Sequence, residues 1–360
     1  MNILLIGAAS SVHIMRWANA FVERGCIVHL ATQHDPIAGF RQEVIMHRLP
    51  HFGGAGYFVN RPAIRKLIRR IKPDVMNAHY ASGYGTLAIH DEHVPLVLNV
   101  WGSDVYEFPD SGRTQHRLLC RNLRRADAIV STSEAMARRT SDICPGLPPI
   151  TVVPFGVDTT LFTPAGLDTS RSAIVIGTVK TLKPTYGIDV LIRAFALLVE
   201  RSGGGVHVRL KLVGTGSQAA ELKALVDQLG VGSSVEFVGS VPHADVPDQL
   251  RSLDVYVALS RSESFGVAII EASACGVPVV VSDVGGLPEV TIDGVTGFVV
   301  PPEDPEAAAD RIAQLIGSAD LRRAMGAAGR KHVEEQYAWS ACVDKQLAVF
   351  DRVIAERKRK

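Results

Sequence analysis

Two glutamates eight residues apart carry the strongest chemical signal in this chain. Glu263 and Glu271 lie in the run Ser260-Arg-Ser-Glu-Ser-Phe-Gly-Val-Ala-Ile-Ile-Glu-Ala-Ser-Ala-Cys-Gly-Val-Pro-Val279. The Ser-rich stretch around Glu263 reads as a loop, and the apolar stretch around Glu271 reads as a helix. Between them, Phe265-Gly266-Val267 marks a helix start, where backbone N–H groups are free to hold an anion. At about 1.5 Å rise per residue, eight residues span roughly 12 Å. That reach suits a nucleoside diphosphate with a further group attached. The spacing predicts the diphosphate on the helix N-terminus, one glutamate on the group beyond it and the other on ribose hydroxyls.

The wider pattern is more specific than the glutamate pair. It runs Ser-Glu-Ser-Phe-Gly, then Glu-Ala-x-Ala-x-Gly-x-Pro-Val, then Asp283-Val-Gly-Gly-Leu-Pro-Glu289, then Gly294-x-x-Gly-Phe298. This series resembles the Glu-x7-Glu segment of the retaining glycosyltransferases of family 4. The resemblance covers nearly the whole chain and is strongest from about Val152 to Val300. It implies the GT-B fold: two doubly wound, Rossmann-like α/β domains facing across a cleft. It also implies transfer of a sugar from a nucleotide-diphosphate sugar to an acceptor hydroxyl with retained configuration, in cell-surface polysaccharide or glycolipid assembly. Glu263 would orient the donor sugar, Glu271 would take the ribose, and Ser264, Phe265, Gly266 and Val267 would meet the diphosphate.

Elements able to position such residues alternate along both halves. Strands are expected at Ile3–Ile6, Ile27–Ala31, Val75–Ala78, Leu96–Val100, Ala128–Ser131 and Ile150–Val153. Pro154 to Ser170 has no period and reads as a linker. The pattern restarts with Ile174–Gly177, Val208–Val213, Ser234–Val238, Val255–Ala258, Val279–Ser282 and Gly297–Val300. Short apolar runs between helical periods mean parallel sheets covered on both faces. The expected division is 1–163 for an acceptor-side domain and 172–336 for a donor domain. A last helix, 337–360, returns to the first domain in the resembling family.

Other candidates sit at expected carboxyl ends of strands, where open α/β sheets bind ligands. Lys180 and Lys183 follow the first strand of the second half. Family members carry an Arg and a Lys there to neutralise the donor diphosphate; the longer stretch Gly177–Gly187 has no Arg, so the role passes to these lysines. In the first half, Gly7, Ser10, Ser11 and His13 form the turn that in the family approaches diphosphate and acceptor. His79 ends a strand, and Asp104 follows Val100-Trp-Gly-Ser. That segment resembles the family's His-Gly-x-Asp, with Trp101 replacing a histidine that commonly contacts the donor sugar. His79 and Asp104 are candidate catalytic residues, with helix-end capping as their plain alternative.

A rival nucleotide signal is Gly214-Thr-Gly216-Ser-Gln-Ala219, which fits G-x-G-x-x-A after a strand, with Glu236 at the distance of a ribose-binding acid. It follows the second strand of its half, whereas a dinucleotide fingerprint follows the first. The resemblance makes Gly214 and Gly216 a wall of the donor pocket instead.

Composition fits a two-domain enzyme. The 360 residues are 47% hydrophobic and 21% charged, with net charge +1, which gives no bias toward nucleic acid. Five scattered cysteines make neither a disulfide frame nor a zinc site. No D-x-D spacing exists to hold a divalent metal, so the expectation is no metal and no cofactor beyond the nucleotide-sugar co-substrate. The start Met1–Gly7 reads as a buried strand, which predicts a cytoplasmic protein. The basic segment Arg61–Lys72 alternates charge and apolar residues. It reads as a surface helix or as contact with an anionic membrane on the inner face of the cell membrane. The acceptor would be lipid-linked or an oligosaccharide. A nucleotide-sugar epimerase on the same fold and a non-catalytic nucleotide-sugar-binding protein are the alternatives.

Overall fold

The computed structural model describes residues 1–89, 93–164, 173–202 and 207–359. Part of the expected linker, 165–170, lies outside the described residues, as do position 172 and Lys360. The chain forms two compact units, one of Met1–Phe155 with Ala341–Lys360 and one of Gly156–Ser340.

The first unit holds strands β1 (Asn2–Ile6), β2 (Ile27–Thr32), β3 (Ile45–Arg48), β4 (Val75–His79), β5 (Leu96–Asn99), β6 (Ala128–Ser131) and β7 (Thr151–Val152). They form one sheet in the order β3-β2-β1-β4-β5-β6-β7, and every pairing is parallel. The central strands are buried along almost their whole length, as a sheet covered by helices on both faces requires. Strand β3 was not expected from sequence. Its Ile-Met-His-Arg run is short, half-exposed and without alternation, so only its neighbour β2 makes it a strand.

The second unit holds β8 (Ile174–Val179), β9 (Val208–Val213), β10 (Val235–Gly239), β11 (Val255–Ala258), β12 (Val279–Ser282) and β13 (Gly297–Val300). Its sheet runs β10-β9-β8-β11-β12-β13 and is again parallel throughout. Each sheet winds outward from its first strand in both directions. The order therefore reverses beside β1 and β4 in one unit and beside β8 and β11 in the other. Loops leaving those strands part to opposite faces, which opens a crevice for ligands.

Local chemistry sets the helices. Ser133 caps Glu134–Ile143 by accepting from the Met136 N–H, and Asp304 caps Pro305–Gly317 by accepting from Ala307 N–H. Helix Arg61–Ile71 buries Ile64, Leu67 and Ile68 and turns its basic residues outward. In the final helix, Trp339–Arg359, Phe350 packs on Phe21 with ring centroids 5.4 Å apart and Gln346 accepts from Asn99.

Candidate active site

In the second unit the loop after β8 brings Lys180 to Glu263, which follows β11. The ammonium lies 2.6 Å from the carboxylate, with the two side chains only 18% and 14% exposed. Burial opposes the charge on Lys180, but Glu263 and the nearby Tyr256 hydroxyl hold its pKa above that of an ordinary lysine. The ammonium also lies 4.4 Å from the centroid of the Tyr186 ring, a cation–π contact. Tyr256 is fully buried, and burial raises its own pKa.

Past Glu263 the chain runs through half-buried Ser264 and buried Phe265 to Gly266, the N-cap of helix Val267–Ala274. Gly266 has φ 108°, a left-handed conformation that a side chain would resist. Glu263 stands in the loop and Glu271 on the helix, as expected, but helical rise applies only from Val267 to Glu271, so the span of eight helical residues does not hold. Glu271 sits on that helix and is 9% exposed. The first turn of the helix leaves N–H groups available to an anion. Lys183 is exposed to solvent and stands apart from the Lys180–Glu263 pair in burial.

Gly214 and Gly216 have a reason unconnected with dinucleotides. Lys180 N–H donates to Val213 O, and Leu182 N–H donates to Thr215 O, both at 2.9 Å. A Cβ at Gly214 would lie 2.0 Å from Lys180 O, and one at Gly216 would lie 2.1 Å from Leu182 O. These glycines let the loop after β9 lie against the backbone that carries Lys180. The loop Asp283–Gly286 does the same for Glu263: Gly286 N–H donates to Glu263 O at 3.1 Å, and a Cβ at Gly285 would meet that carbonyl at 1.8 Å.

Arg261, absent from the sequence reading, is held by Asp189 through two bonds of 2.9 and 2.8 Å and by Glu303 at 2.7 Å. These partners raise its pKa and tie it into the frame of the loop.

In the first unit, Gly7 is buried against Ile14, Ser10 is exposed, and Ser11 is the extended N-cap of helix Val12–Glu23 with no side-chain cap bond. His13 stacks on Phe155 at 4.3 Å. Trp101 stands amid rings: His79 at 4.3 Å, Phe155 at 5.2 Å, Tyr80 at 5.5 Å and His13 at 5.8 Å. With 6% exposure it is a packing platform. His79 is fully buried, and neither ring nitrogen has a hydrogen-bond partner among the described residues. Burial, then His13, lowers its pKa to about 3, so the ring is neutral. Asp104 is 1% exposed and accepts from the N–H groups of Ala81 at 2.8 Å, Trp101 at 3.1 Å and Gly102 at 2.9 Å. Burial raises its pKa against the pull of those bonds. The carboxylate thus fastens the loops after β4 and β5.

A second cationic element, not expected from sequence, lies in the first unit. Helix Arg113–Arg125 carries Arg113, Arg117, Arg121 and Arg125 at four-residue spacing, which sets them near one another along the helix. Arg117, Arg121, Arg124 and Arg125 border a groove of about 750 Å³. Arg121 and Arg65 help burial depress the Arg61 guanidinium, so this helix and Arg61–Ile71 share one basic field. The four-residue spacing is plain in the sequence, but unlike Arg61–Lys72 the segment does not alternate charge with apolar residues. Among the described residues no group of three or more His, Cys, Asp or Glu could hold a metal ion, and no helix is long and apolar enough to cross a membrane.

Comparison with known proteins matches residues 166–332 to the glycosyl transferases group 1 model and residues 2–133 to the glycosyl transferase 4-like model. The chain is 30% identical over 307 residues to a D-inositol 3-phosphate glycosyltransferase of Kribbella flavida, covering 77% of this chain and 70% of the relative. Sucrose-phosphate synthase from Thermosynechococcus elongatus superposes with a TM-score of 0.84 at 21% identity, over 99% of this chain and all of that one. Anabaena HepE in complex with UDP-glucose superposes at 0.79 and 20% identity, covering 97% and 98% of the two chains. Two parallel sheets wound in the same sense, with both family models matched in order along the chain, identify it as a member of the group 1 glycosyltransferases with the GT-B fold.

Proposed function

We propose that the protein is a retaining, metal-independent transferase that moves a hexose from a nucleotide-diphosphate sugar to an acceptor hydroxyl. The observation that carries this is the part-buried Lys180–Glu263 pair at the ends of β8 and β11, beside the N-terminus of helix Val267–Ala274. When donor binds, Lys180 and the helix N–H groups take the diphosphate charge, which grows as the leaving group departs. Glu263 orients sugar hydroxyls, and Glu271 holds the ribose. The bond from the anomeric carbon to phosphate oxygen breaks with its electron pair on the phosphate. The acceptor oxygen bonds to the same face, and its proton passes to the departing phosphate oxygen. Gly7, Ser10, Ser11 and His13 serve the acceptor side of the reaction. His79 and Asp104 act as positioning residues through Trp101 and the loops that Asp104 fastens.

The Anabaena neighbour, bound to UDP-glucose, supports a nucleotide sugar as donor. Epimerisation is less favoured, because burial lowers the pKa of His79, which it would recruit, to about 3, leaving a weak base and almost no imidazolium acid near neutral pH. The basic face built by Arg65, Arg69, Arg70 and the arginines of Arg113–Arg125 supports docking on anionic lipid, and with it work on a lipid-linked acceptor for cell-surface glycan at the cytoplasmic face. Donor screening with NMR of the product tests the core reading. Nucleotide release with an α-configured donor giving an α-linked product is expected, and it should persist in excess EDTA. Inverted product, or activity abolished by EDTA and rescued only by manganese or magnesium, would overturn it.

A further inference from the structure

The first unit contains a cavity of about 590 Å³, within the roughly 300–1,000 Å³ of small-molecule sites. Ala8, just beyond β1, and Tyr80, just beyond β4, both line it. It therefore opens at the switch point of the sheet, beside the turn Gly7–Ser11. Its walls are aromatic, from Tyr57, Tyr80, Tyr84 and Phe108, with neutral polar groups such as Gln115 and Thr114 between them. No Lys, Arg, Asp or Glu lines it among the described residues.

The rings are fixed before any ligand arrives. The Tyr84 hydroxyl lies 2.6 Å from His34 Nδ1 and accepts from Gln33 N–H at 3.3 Å. Tyr57 stands edge-on to Tyr84, with centroids 5.2 Å apart and planes at 77°. Tyr80 has φ 69°, a left-handed backbone that an aromatic residue adopts only where its surroundings hold it. That backbone is held by the Tyr80 N–H donating to Asn99 O at 3.0 Å, and the ring lies edge-on to Trp101. Burial raises the pKa of all three phenols, so none adds negative charge near neutral pH.

We infer that this cavity takes an uncharged hexopyranose ring as the acceptor, and that it selects against acceptors bearing a phosphate at the ring. The inference rests on the transferase reading for the word acceptor. A pyranose presents a face of C–H groups, weakly positive, to the negative face of an aromatic ring. Its hydroxyls meet neutral amide and hydroxyl partners such as Gln115. A phosphate monoester would lose its hydration there with no Lys or Arg in the described lining to replace it, and the His34 imidazole in the wall already has its Nδ1 2.6 Å from the Tyr84 hydroxyl. The inositol phosphate in the name of the Kribbella relative would be poorly served by such walls.

Saturation-transfer NMR on the full chain tests this with methyl α-glucoside, α-galactoside and α-mannoside against the corresponding hexose 6-phosphates. At least one neutral glycoside should bind through its ring C–H groups, at least five-fold better than its 6-phosphate. Tyr57→Ala should lower that binding at least five-fold. Gln115→Lys, at a half-exposed position where folding is not at stake, should instead raise 6-phosphate binding. Equal or stronger binding of the 6-phosphates to the natural protein, or a Gln115→Lys variant with unchanged preference, would overturn the inference. Calorimetry with UDP, GDP, ADP and TDP separates the two readings. A nucleotide that binds while no glycoside does sinks only the inference. Glycosides that bind with the expected preference while no nucleotide does leave the cavity as assigned and sink the transferase reading.

Discussion

Lys180 and Glu263, 83 residues apart, meet at 2.6 Å. Each therefore answers the other's charge, and on the proposed reading donor binding exchanges this contact for contacts to diphosphate and sugar. Lys180→Met should weaken nucleoside diphosphate binding by about 1.5–3 kcal/mol, the size of a charge-assisted hydrogen bond. It also leaves Glu263 without its cation, so the single variant should be less stable than Lys180→Met combined with Glu263→Gln. Urea unfolding of the four proteins in the cycle measures this; strictly additive losses would mean the pair contributes nothing.

The two glutamates should fail differently. Glu271→Ala should weaken free nucleotide and donor alike, by roughly 1.5–3 kcal/mol, because ribose contacts exist before and during reaction. Glu263→Ala should lower turnover while sparing much of the free-nucleotide affinity, since its sugar partner exists only on the intact donor. Calorimetry beside initial rates reads both. Abolished nucleotide binding in Glu263→Ala, with Glu271→Ala unaffected, would reverse the placement of the donor.

Asp104→Ala should cost stability before it costs chemistry. Three buried N–H groups would lose their acceptor, and each such orphan costs about 1–3 kcal/mol. Asp104→Asn should recover part of the loss. A Asp104→Ala variant as stable as the natural protein but without turnover would show the carboxylate acting on substrate.

His79 sets a pH dependence. Its folded pKa of about 3 lies below the unfolded imidazole value of about 6.5. The depressed value makes its contribution complete above about 6.5 and progressively lost as pH falls toward 3, by up to about 1.4 kcal/mol per unit. His47, which burial and then His29 lower to about 4, shares this window. His79→Phe should therefore flatten the acid limb without abolishing it. Urea midpoints from pH 7 to pH 4 that fall as steeply as in the natural protein would contradict this.

Neutralising Arg65, Arg69 and Arg70 together should weaken binding to vesicles containing phosphatidylserine, at about 1 kcal/mol per residue. Neutralising Arg117, Arg121 and Arg124 should have a comparable effect if the two helices present one basic field. Unchanged cosedimentation in both triple variants would leave these arginines as an ordinary solvated surface.

The doubly wound halves were legible because buried parallel strands leave short apolar runs, as in Val279–Ser282, which no other element explains. The loop at Glu263 and the helix under Glu271 were legible because Phe265-Gly266-Val267 marks the helix start between them. What lay beyond reach was contact between distant segments. Nothing near Lys180 announces Glu263, and nothing in Gly214-Thr-Gly216 tells a cofactor's approach from that of the Lys180 loop. For Trp101 the sequence left open a packing surface or a contact passed to backbone groups, and rings from three segments, His13, His79 with Tyr80, and Phe155, make it a platform. Strand β3 shows the limit for local pattern, since pairing with β2 alone makes it a strand.

The approach of Gly285 to the Glu263 carbonyl bears on engineering. Residues 260–266 and 283–287 are two halves of one casting, because a Cβ at position 285 would stand 1.8 Å from that carbonyl. A transplant of the Ser-rich loop alone, made to alter donor sugar, would meet a mould cut for a different backbone path. Chimeras should exchange both segments together, and libraries that vary the first should keep glycine at 285 or recombine the second from the same parent.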